Sequence, residues 1–293
     1  MRLGEAGEAE LVRRLLPLLP SHGLLIGPGE DDAAVWEEAD GSFTVATCDA
    51  SAEGIHFDLG WQRPEDVGWR ALALALGDLA AKGARPTQAL VSLSAPRDWE
   101  LDTALGIYRG MAELAATVGL SLAGGDTTEA RGGAVLAITA LGRSATRPLP
   151  RSAARPGWSV AVTGPLGAAA LALGARSSLR LEPRFAEGQR LNRLGLVCGD
   201  ISDGLWDELV KFETMAGCGC ELDGSRVPLV PGASLMQALT SGEEAELVCA
   251  GPAELVERAG LEPIGVLNAG GVSWRDASGN SHTTAAGGFR HFG

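Results

Sequence analysis

The residues with the clearest chemical potential in this sequence are acidic. Glu30, Asp31 and Asp32 follow a Gly-Pro-Gly turn and precede an apolar run in IGPGEDDAAVW, residues 26–36. Carboxylates gathered at turns and strand ends repel one another by roughly 1 to 4 kcal/mol per close pair, and divalent cations remove that repulsion. Ligand sets made only of oxygen favour Mg²⁺ or Ca²⁺, and Mg²⁺ commonly combines a few carboxylates with substrate phosphates. Five further aspartates end or interrupt apolar segments: Asp49, Asp78, Asp126, Asp200 and Asp203.

This inventory predicts an enzyme that uses a Mg²⁺-nucleotide, although each aspartate alone has a simpler interpretation. Asp31, Asp126 and Asp203 have the residue type that satisfies free N–H groups at turns and helix starts. Asp78 lies within an apolar helical pattern, so its carboxylate needs a cation or strong donors. Lys82, four residues later, offers an ordinary helix ion pair as the alternative.

The common nucleotide-binding signatures are absent from the sequence. It contains no G-x-x-x-x-G-K-[ST] loop and no H-R-D or D-F-G kinase set. The segment AGGDTT, residues 123–128, is interpreted as a Gly-rich turn whose N–H groups are able to contact phosphate.

The elements that position these acids follow a mixed α/β pattern. A Pro- and Arg-rich stretch, residues 142–157, separates two halves. We therefore predict an α/β protein with two domains, residues 1–145 and residues 146–293. Apolar spacing predicts strands at 43–48, 88–95, 134–142, 158–164 and 195–199, and helices at 65–82, 101–118, 165–175 and 203–216.

Composition narrows the class of partner. The 293-residue chain carries 37 acidic and 24 basic residues, a net charge of −13, which argues against nucleic acid or an anionic membrane as partner. Its longest apolar run, 158–174, is broken by Gly164 and Pro165, so we expect no membrane span. Five cysteines, with no Cys-x-x-Cys pair, and no visible signal peptide lead us to expect a cytoplasmic protein with reduced thiols.

Eight segments in order resemble the thiamine-monophosphate kinase family of the aminoimidazole ribonucleotide synthetase superfamily. The resemblance implies a two-domain fold that transfers the γ-phosphoryl group of ATP to thiamine monophosphate, giving thiamine diphosphate and ADP. It also implies a homodimer paired through N-terminal strands, with 43–48, 88–95 and 134–142 as candidates. The segments are GEDDAAV, TCDASAEGIHFDL, LALALGDLAAKGARP, AGGDTT, RSAARPGW, DISDGL, SGEEAEL and GGFRHF.

The resemblance further implies roles for individual residues. The family's Mg²⁺ ligands correspond to Asp32, Thr47, Cys48, Asp49, Asp78, Asp126, Asp200 and Asp203. Its ATP contacts correspond to Tyr108, Gly125, Asp126, Arg151 and Ser202, with Arg151 adding positive charge to the transferred phosphoryl group. Its substrate contacts correspond to His56, Glu243 and Phe289.

Local departures from the family pattern leave some roles open. Cys48 replaces the usual Thr, so its backbone carbonyl is the better Mg²⁺ ligand because a thiol is soft. Glu244 and Ala245 replace Asp and Tyr, and Phe289 lacks a hydroxyl group. Among the three opening acids, Asp32 is the expected ligand, with Asp31 capping the turn and Glu30 facing solvent.

Two alternatives remain at this point. One is another ATP-dependent synthetase of the superfamily, although relatives that need a reactive Cys near a terminus are disfavoured because the first cysteine is Cys48. The other is a non-catalytic nucleotide-binding regulator, which is expected to have lost carboxylates that this chain retains. A phosphate acceptor needs no strong general base, so the predicted chemistry is direct in-line transfer without a phosphoenzyme.

Overall fold

The computed structural model describes residues 1–284, which form two β-sheets flanked by helices. The first sheet has the order β1-β2-β5-β3-β4 and is antiparallel except for the parallel pair β3 and β4. Before it lie helix α1 (Leu3–Leu15), without buried residues, and a 3₁₀ turn at Leu16–Leu18. The strands are β1 (Ala34–Glu37), β2 (Phe43–Ala52), β3 (Arg85–Pro96), β4 (Ser121–Ala130) and β5 (Val135–Ser144).

Helices α2 (Pro64–Ala81) and α3 (Leu101–Val118) cover one face of this sheet. They pack closely because Gly68 and Gly110 face the opposite helix, where an added Cβ would lie 1.9 Å and 1.8 Å from backbone oxygens. Most of α2 is buried, since it also contacts the second half of the chain. The central position of α2 places Asp78 at the junction between the halves.

The second sheet lies in the C-terminal half, with the order β12-β11-β8-β10-β6-β9-β7. All neighbouring strands are antiparallel except β11 and β8. Its strands are β6 (Ser159–Val162), β7 (Val197–Asp200), β8 (Gly219–Asp223), β9 (Leu247–Gly251), β10 (Gly265–Asn268), β11 (Ser273–Arg275) and β12 (Ser281–His282). Its helices are α4 (Ala168–Gly174), α5 (Phe185–Arg193), α6 (Leu205–Ala216), α7 (Leu235–Thr240) and α8 (Ala253–Arg258), with a 3₁₀ turn at Arg151–Ala153 before them.

The mixed α/β class is confirmed, and every helix and strand predicted above exists, all but helix 101–118 with shifted ends. The sequence pattern missed β4, because Gly124 and Gly125 were read as a turn. Both glycines have positive φ angles, and the register with β3 shifts between Ala89 and Leu90 where they pair. The AGGDTT segment is therefore an irregular outer strand rather than a turn.

Contacts between the halves hold the fold together around α2. The Trp69 indole N–H donates to the Leu181 carbonyl at 2.7 Å, and Arg180 lies 4.8 Å from the Trp69 ring. On the other side, Gly188 of α5 meets the Ala80 backbone so closely that an added Cβ would lie 1.8 Å from its oxygen. Within the described residues, no helix combines the length and the apolar character that crossing a membrane requires.

Candidate functional site

Three of the predicted ligands converge where the halves meet. Asp32 comes from the turn before β1, Asp78 from α2 and Asp200 from the end of β7. One carboxylate oxygen of each lies within 4.8 Å of the other two. Asp78 and Asp200 are buried, whereas Asp32 is partly exposed on the open side of the cluster.

Local sequence features allow the carboxylates to come this close together. Gly77 precedes Asp78 and leaves room for the neighbouring acid, since a Cβ at this position would lie 2.7 Å from Asp200 Oδ2. Thr47 of β2 donates its hydroxyl to Asp78 Oδ2 at 2.5 Å. Strand residues two apart share a face, so Asp49 lies on the same side of β2 as Thr47.

Crowding of carboxylates raises several pKa values. Burial, followed by the charges of Asp78 and Asp32, raises the pKa of Asp49 to about 7. The pKa values of Asp78 and Asp200 are also raised, chiefly by burial and then by neighbouring carboxylates. Burial acts in the same sense on Asp32, but Arg151 and Lys211 hold its pKa at about 2.

Arg151 lies behind the cluster and is completely buried. Its Nη2 lies 2.7 Å from Glu208 Oε2, 3.0 Å from Asp32 Oδ2 and 3.9 Å from Asp200 Oδ1, and its Nη1 lies 2.5 Å from Asp31 Oδ1. Gly199 makes room for it, because an added Cβ there would lie 2.2 Å from Arg151 Nη2. Although Arg151 comes from the Pro- and Arg-rich stretch between the halves, it is therefore a buried residue of the site and not a solvated arginine.

The structure also separates the roles of the three opening acids. Glu30 is exposed, and its carboxylate accepts the Gly27 N–H at 2.9 Å, so this residue closes the turn. Asp31 is buried and pairs with both Lys82 and Arg151. Glu30 faces solvent as expected, whereas the expectation that Asp31 caps the turn was wrong because its carboxylate pairs with the two buried cations. Asp32 alone among the three joins the cluster.

Lys82 also differs from its simplest interpretation. It is buried and pairs with Asp31, and its Nζ donates to the Cys198 carbonyl at 2.7 Å. The alternative of a helix ion pair with Asp78 is wrong, because the lysine side chain pairs with Asp31 in the turn before β1. Asp78 therefore lies beside Asp200 and Asp32 without a lysine partner on its own helix.

The donor set fits a hard divalent cation. Asp200 Oδ1 is buried and has no hydrogen-bond partner, which marks an acceptor that lacks its counterpart. The converging atoms are all carboxylate oxygens, the type that Mg²⁺ binds. Cys48 is exposed, on the face of β2 opposite Thr47 and Asp49, so its thiol is directed away from the cluster.

A cavity of about 350 Å³ opens beside the cluster, between the two halves of the chain. The predicted substrate residues His56 and Glu243 both line it, together with Ser202 and Asp203. Asp203 Oδ2 lies 3.2 Å from Lys211 Nζ, which in turn lies 3.0 Å from Asp32 Oδ2. The apolar wall consists of Ile55, Trp61, Ala169, Ala172, Leu173, Leu179 and Leu181.

The polar residues of this cavity are held in place. His56 Nδ1 accepts the Ala52 N–H at 3.0 Å, and Arg70 donates to the His56 carbonyl at 3.0 Å. Glu243 pairs with Arg70 and has a φ angle of 60°, a left-handed conformation that is costly for a residue with a Cβ. Its N–H donates to the Ser202 carbonyl at 2.7 Å, which fixes the turn.

Other predicted contacts lie apart from this centre within the chain. Tyr108 is on α3, and Gly125 and Asp126 are on the exposed outer strand β4. Among the described residues, the converging carboxylate group contains Asp32, Asp78 and Asp200 but not Asp126. Phe289 lies outside the described residues.

Both the sequence and the fold match known proteins. Residues 30–144 match the family described as AIR synthase related protein, N-terminal domain. Thiamine-monophosphate kinase of Methanopyrus kandleri is 33% identical over 290 residues, with 90% of each chain covered. The Bacillus subtilis thiamine-monophosphate kinase is 32% identical, with 76% of this chain and 74% of the relative covered.

This chain belongs to the thiamine-monophosphate kinase family. A solved structure of AaThiL complexed with AMPPCP and TMP matches 99% of both chains, with a TM-score of 0.85 and 27% identity. The resemblance carried by the eight sequence segments is thereby confirmed, and so is the fold that it implied.

In this member of the thiamine-monophosphate kinase family, sequence reasoning missed several polar residues of the site. Glu208 and Lys211 form ion pairs within it, Asp31 pairs with Lys82 and Arg151 where the sequence predicted only a capping role, and Arg70 holds Glu243. One signal was present: Lys82 and Lys211 are the chain's two lysines, and both lie in the site. Their partners come from distant segments, so spacing alone was unable to identify them.

Proposed function

We propose that this chain phosphorylates thiamine monophosphate to thiamine diphosphate with ATP as donor, in thiamine biosynthesis. The observation that carries this proposal is one continuous site. A cavity lined by His56 and Glu243 meets the carboxylate cluster through Asp203, and Lys211 bridges Asp203 to Asp32. The AaThiL complex named above holds an ATP analogue and TMP, which supports the same pair of ligands here.

The cavity suits the thiamine part of the substrate. Its volume of about 350 Å³ lies within the range of small-molecule sites, and its walls are largely apolar. Thiamine carries a flat aminopyrimidine ring and a positively charged thiazolium ring. We propose that the apolar wall covers the rings and that Glu243 provides the negative charge facing the cation, with His56 contacting the substrate beside it.

The phosphate end of the substrate then lies toward the carboxylates. Its second pKa is near 6, so the acceptor oxygen is largely ionised at neutral pH and needs no strong base. Catalysis reduces to bringing two anions together in line and neutralising their charge. We propose direct transfer of the γ-phosphoryl group, without a phosphorylated enzyme residue.

The acids provide the ligands for the cation that this chemistry needs. When bound, Mg²⁺ neutralises the phosphate oxygens and orients both reactants. We propose that Asp32, Asp78 and Asp200 form the centre of its site. The outer ligands in this proposal are Thr47, Cys48 through its carbonyl, Asp49, Asp126 and Asp203.

The remaining contacts follow the family resemblance. We propose that Ser202, at the edge of the cavity, contacts ATP, as do Tyr108, Gly125 and Asp126. Arg151 adds positive charge behind the ligand oxygens, with Nη2 3.0 Å from Asp32 Oδ2. Because its guanidinium is buried between four carboxylates, we propose that it acts on the phosphoryl group from this fixed position.

We also propose a homodimer formed through N-terminal strands. Alternate residues of β2, β3 and β5 are exposed or half-buried on the sheet face opposite α2, and the exposed ones include Leu90 and Val135. Sedimentation equilibrium measures the mass directly. A mass near that of one chain, 30.1 kDa, at micromolar concentration would contradict the dimer.

One assay tests the reaction itself. The purified chain is incubated with Mg²⁺, ATP and thiamine monophosphate, and thiamine diphosphate and ADP are separated by chromatography. We expect equimolar products, no product in EDTA, and no turnover of aminoimidazole ribonucleotide precursors. Absence of thiamine diphosphate at micromolar enzyme would refute the proposal.

A matched pair of variants links that activity to the cavity. Glu243→Gln removes the negative charge facing the thiazolium ring, so we expect KM for thiamine monophosphate to rise roughly tenfold, equal to about 1.4 kcal/mol. Glu262→Gln is the control, because Glu262 is 93% exposed and lies outside the cavity. Equal KM values in the two variants would exclude Glu243 from substrate binding.

A further inference from the structure

Lys211 places an ammonium group among the carboxylates on the open side of the site. Its Nζ lies 2.6 Å from Glu208 Oε1, 3.0 Å from Asp32 Oδ2 and 3.2 Å from Asp203 Oδ2. The three partners come from three segments: the turn before β1, the loop after β7, and α6 itself. One cation thus joins both halves of the chain.

The contacts of Lys211 are not equivalent. Glu208 is completely buried, one turn before Lys211 on α6, and its other oxygen binds Arg151 at 2.7 Å. Asp32 and Asp203 are partly exposed, and both are candidate metal ligands. Glu208 therefore anchors the lysine, whereas its other two partners are Asp203, which lines the cavity, and Asp32, which belongs to the carboxylate cluster.

The ammonium occupies the place of a bridging cation. Two carboxylate oxygens from different segments approach one positive centre at 3.0 Å and 3.2 Å. Without a cation there, Asp32 and Asp203 would face each other beside Asp78 and Asp200. A divalent ion that uses the same two oxygens has to displace the lysine from them, and it is also repelled by its charge.

We propose that Lys211 is a built-in competitor of the divalent cation that Asp32 and Asp203 share. This inference rests on the metal site in the proposed function and adds a residue that regulates its occupancy. In the free chain, Lys211 holds the two acids together and keeps their affinity for Mg²⁺ low. On cation binding it gives up these two contacts and retains Glu208, its anchor on α6.

Divalent-cation binding to the nucleotide-free chain tests this inference. Mn²⁺ and Mg²⁺ are titrated by calorimetry into the wild type, Lys211→Met and Lys211→Arg. We expect the charge-neutral Lys211→Met chain to bind at least about tenfold more tightly, a gain of about 1.4 kcal/mol. Lys211→Arg keeps the charge and should bind as the wild type does.

A control variant shows whether removal of any positively charged side chain raises the affinity for Mn²⁺. Arg275→Met removes a positive charge from β11, which is separated from β7 and Asp200 by the width of the second sheet. Arg275 is paired with Glu221 on the surface, so its loss should leave Mn²⁺ affinity unchanged. A gain in Arg275→Met equal to that in Lys211→Met would overturn the local explanation.

A purely structural role for Lys211 predicts the opposite result. Lys211→Met would then unfold at a lower temperature and bind Mn²⁺ equally or more weakly, and this outcome overturns the inference. Lys211→Gln also removes the charge while keeping a polar end, so it provides the same comparison if Lys211→Met does not fold. The shift of the unfolding temperature with added Mg²⁺ is the second readout.

The thiamine monophosphate assay is kept separate from these measurements. Tighter Mn²⁺ binding in Lys211→Met without any thiamine diphosphate from the wild type would support the role of Lys211 and refute the proposed function. Thiamine diphosphate formation by the wild type, with unchanged Mn²⁺ affinity in Lys211→Met, would support the proposed function and refute the role of Lys211. Absence of divalent binding in every variant would overturn the competitor role.

Discussion

Asp78→Asn is the substitution for which stability and activity should change in opposite directions. The change keeps the shape of the side chain and removes one charge from the buried cluster. Asparagine still offers an oxygen to the Thr47 hydroxyl, which donates to Asp78 at 2.5 Å in the wild type. The substitution therefore tests the charge of Asp78 with little change in packing.

The magnitude follows from the spacing of the cluster. The ligand oxygens of Asp32, Asp78 and Asp200 lie within 4.8 Å of one another. At this separation two full charges repel by roughly 1 kcal/mol in water and about 3.5 kcal/mol at an effective dielectric constant of 20. Protonation lessens the repulsion, because the pKa values of Asp78 and Asp200 are raised. We expect the metal-free variant to gain roughly 1–3 kcal/mol in unfolding free energy.

Catalysis should respond in the opposite sense. Loss of a central anionic ligand weakens binding of the cation that neutralises the transferred phosphoryl group. We expect kcat/KM to fall roughly 10³-fold, which corresponds to about 4 kcal/mol of lost transition-state stabilisation. The added stability from Mg²⁺ should fall with it, because the same charge holds the ion.

Two measurements check this pair of effects. Urea unfolding in EDTA and in Mg²⁺ gives the stability, and thiamine diphosphate formation gives kcat/KM. Near-normal turnover in Asp78→Asn would remove Asp78 from the metal site. A metal-free variant less stable than the wild type would show that repulsion does not dominate the cluster.

Three further predictions concern the surroundings of the cluster. Because the folded-state pKa of Asp49 is about 7, above its unfolded value, the folded chain binds more protons between about pH 4 and 7. The stability of the metal-free chain should therefore fall as pH rises through this window, which thermal unfolding in EDTA measures. An unfolding temperature that does not fall across the window would show that the pKa of Asp49 is not raised. Gly77→Ala should keep the fold but weaken Mg²⁺ binding at least about tenfold, because its Cβ would lie 2.7 Å from Asp200 Oδ2; unchanged calorimetric affinity would contradict this. Glu208→Gln should cost about 3 kcal/mol in urea unfolding, because it breaks a buried pair with Arg151; a loss below about 1 kcal/mol would show that the remaining carboxylates suffice.

The charged residues of the site coexist in one small volume because the buried ones are paired with each other. Arg151 and Lys82 form a buried layer with Asp31 and Glu208, beneath the carboxylate cluster. Such buried charges are tolerated only when each is paired, and removal of one member leaves the others uncompensated. This layer sets the position of Asp32, through Arg151, before any cation or phosphate arrives.

Much of this protein was readable in the sequence because the responsible forces are local. Apolar periodicity predicted helix 65–82, observed at Pro64–Ala81, and helix 101–118, observed at Leu101–Val118. The order of the eight family segments identified the family and its reaction. The collection of aspartates indicated a site for a hard cation, since few other arrangements tolerate so many carboxylates together.

Tertiary structure decided which partner each charge takes. Asp31 and Asp32 are neighbours in sequence, yet Asp31 pairs with Lys82 and Arg151, 51 and 120 residues away, while Asp32 joins the carboxylate cluster. Neither spacing nor residue type distinguishes the two acids, because ion pairing depends on which segments the folded core brings together. Lys211 was missed for the same reason: its contacts with Asp32 and Asp203 exist only when the two halves meet across α2.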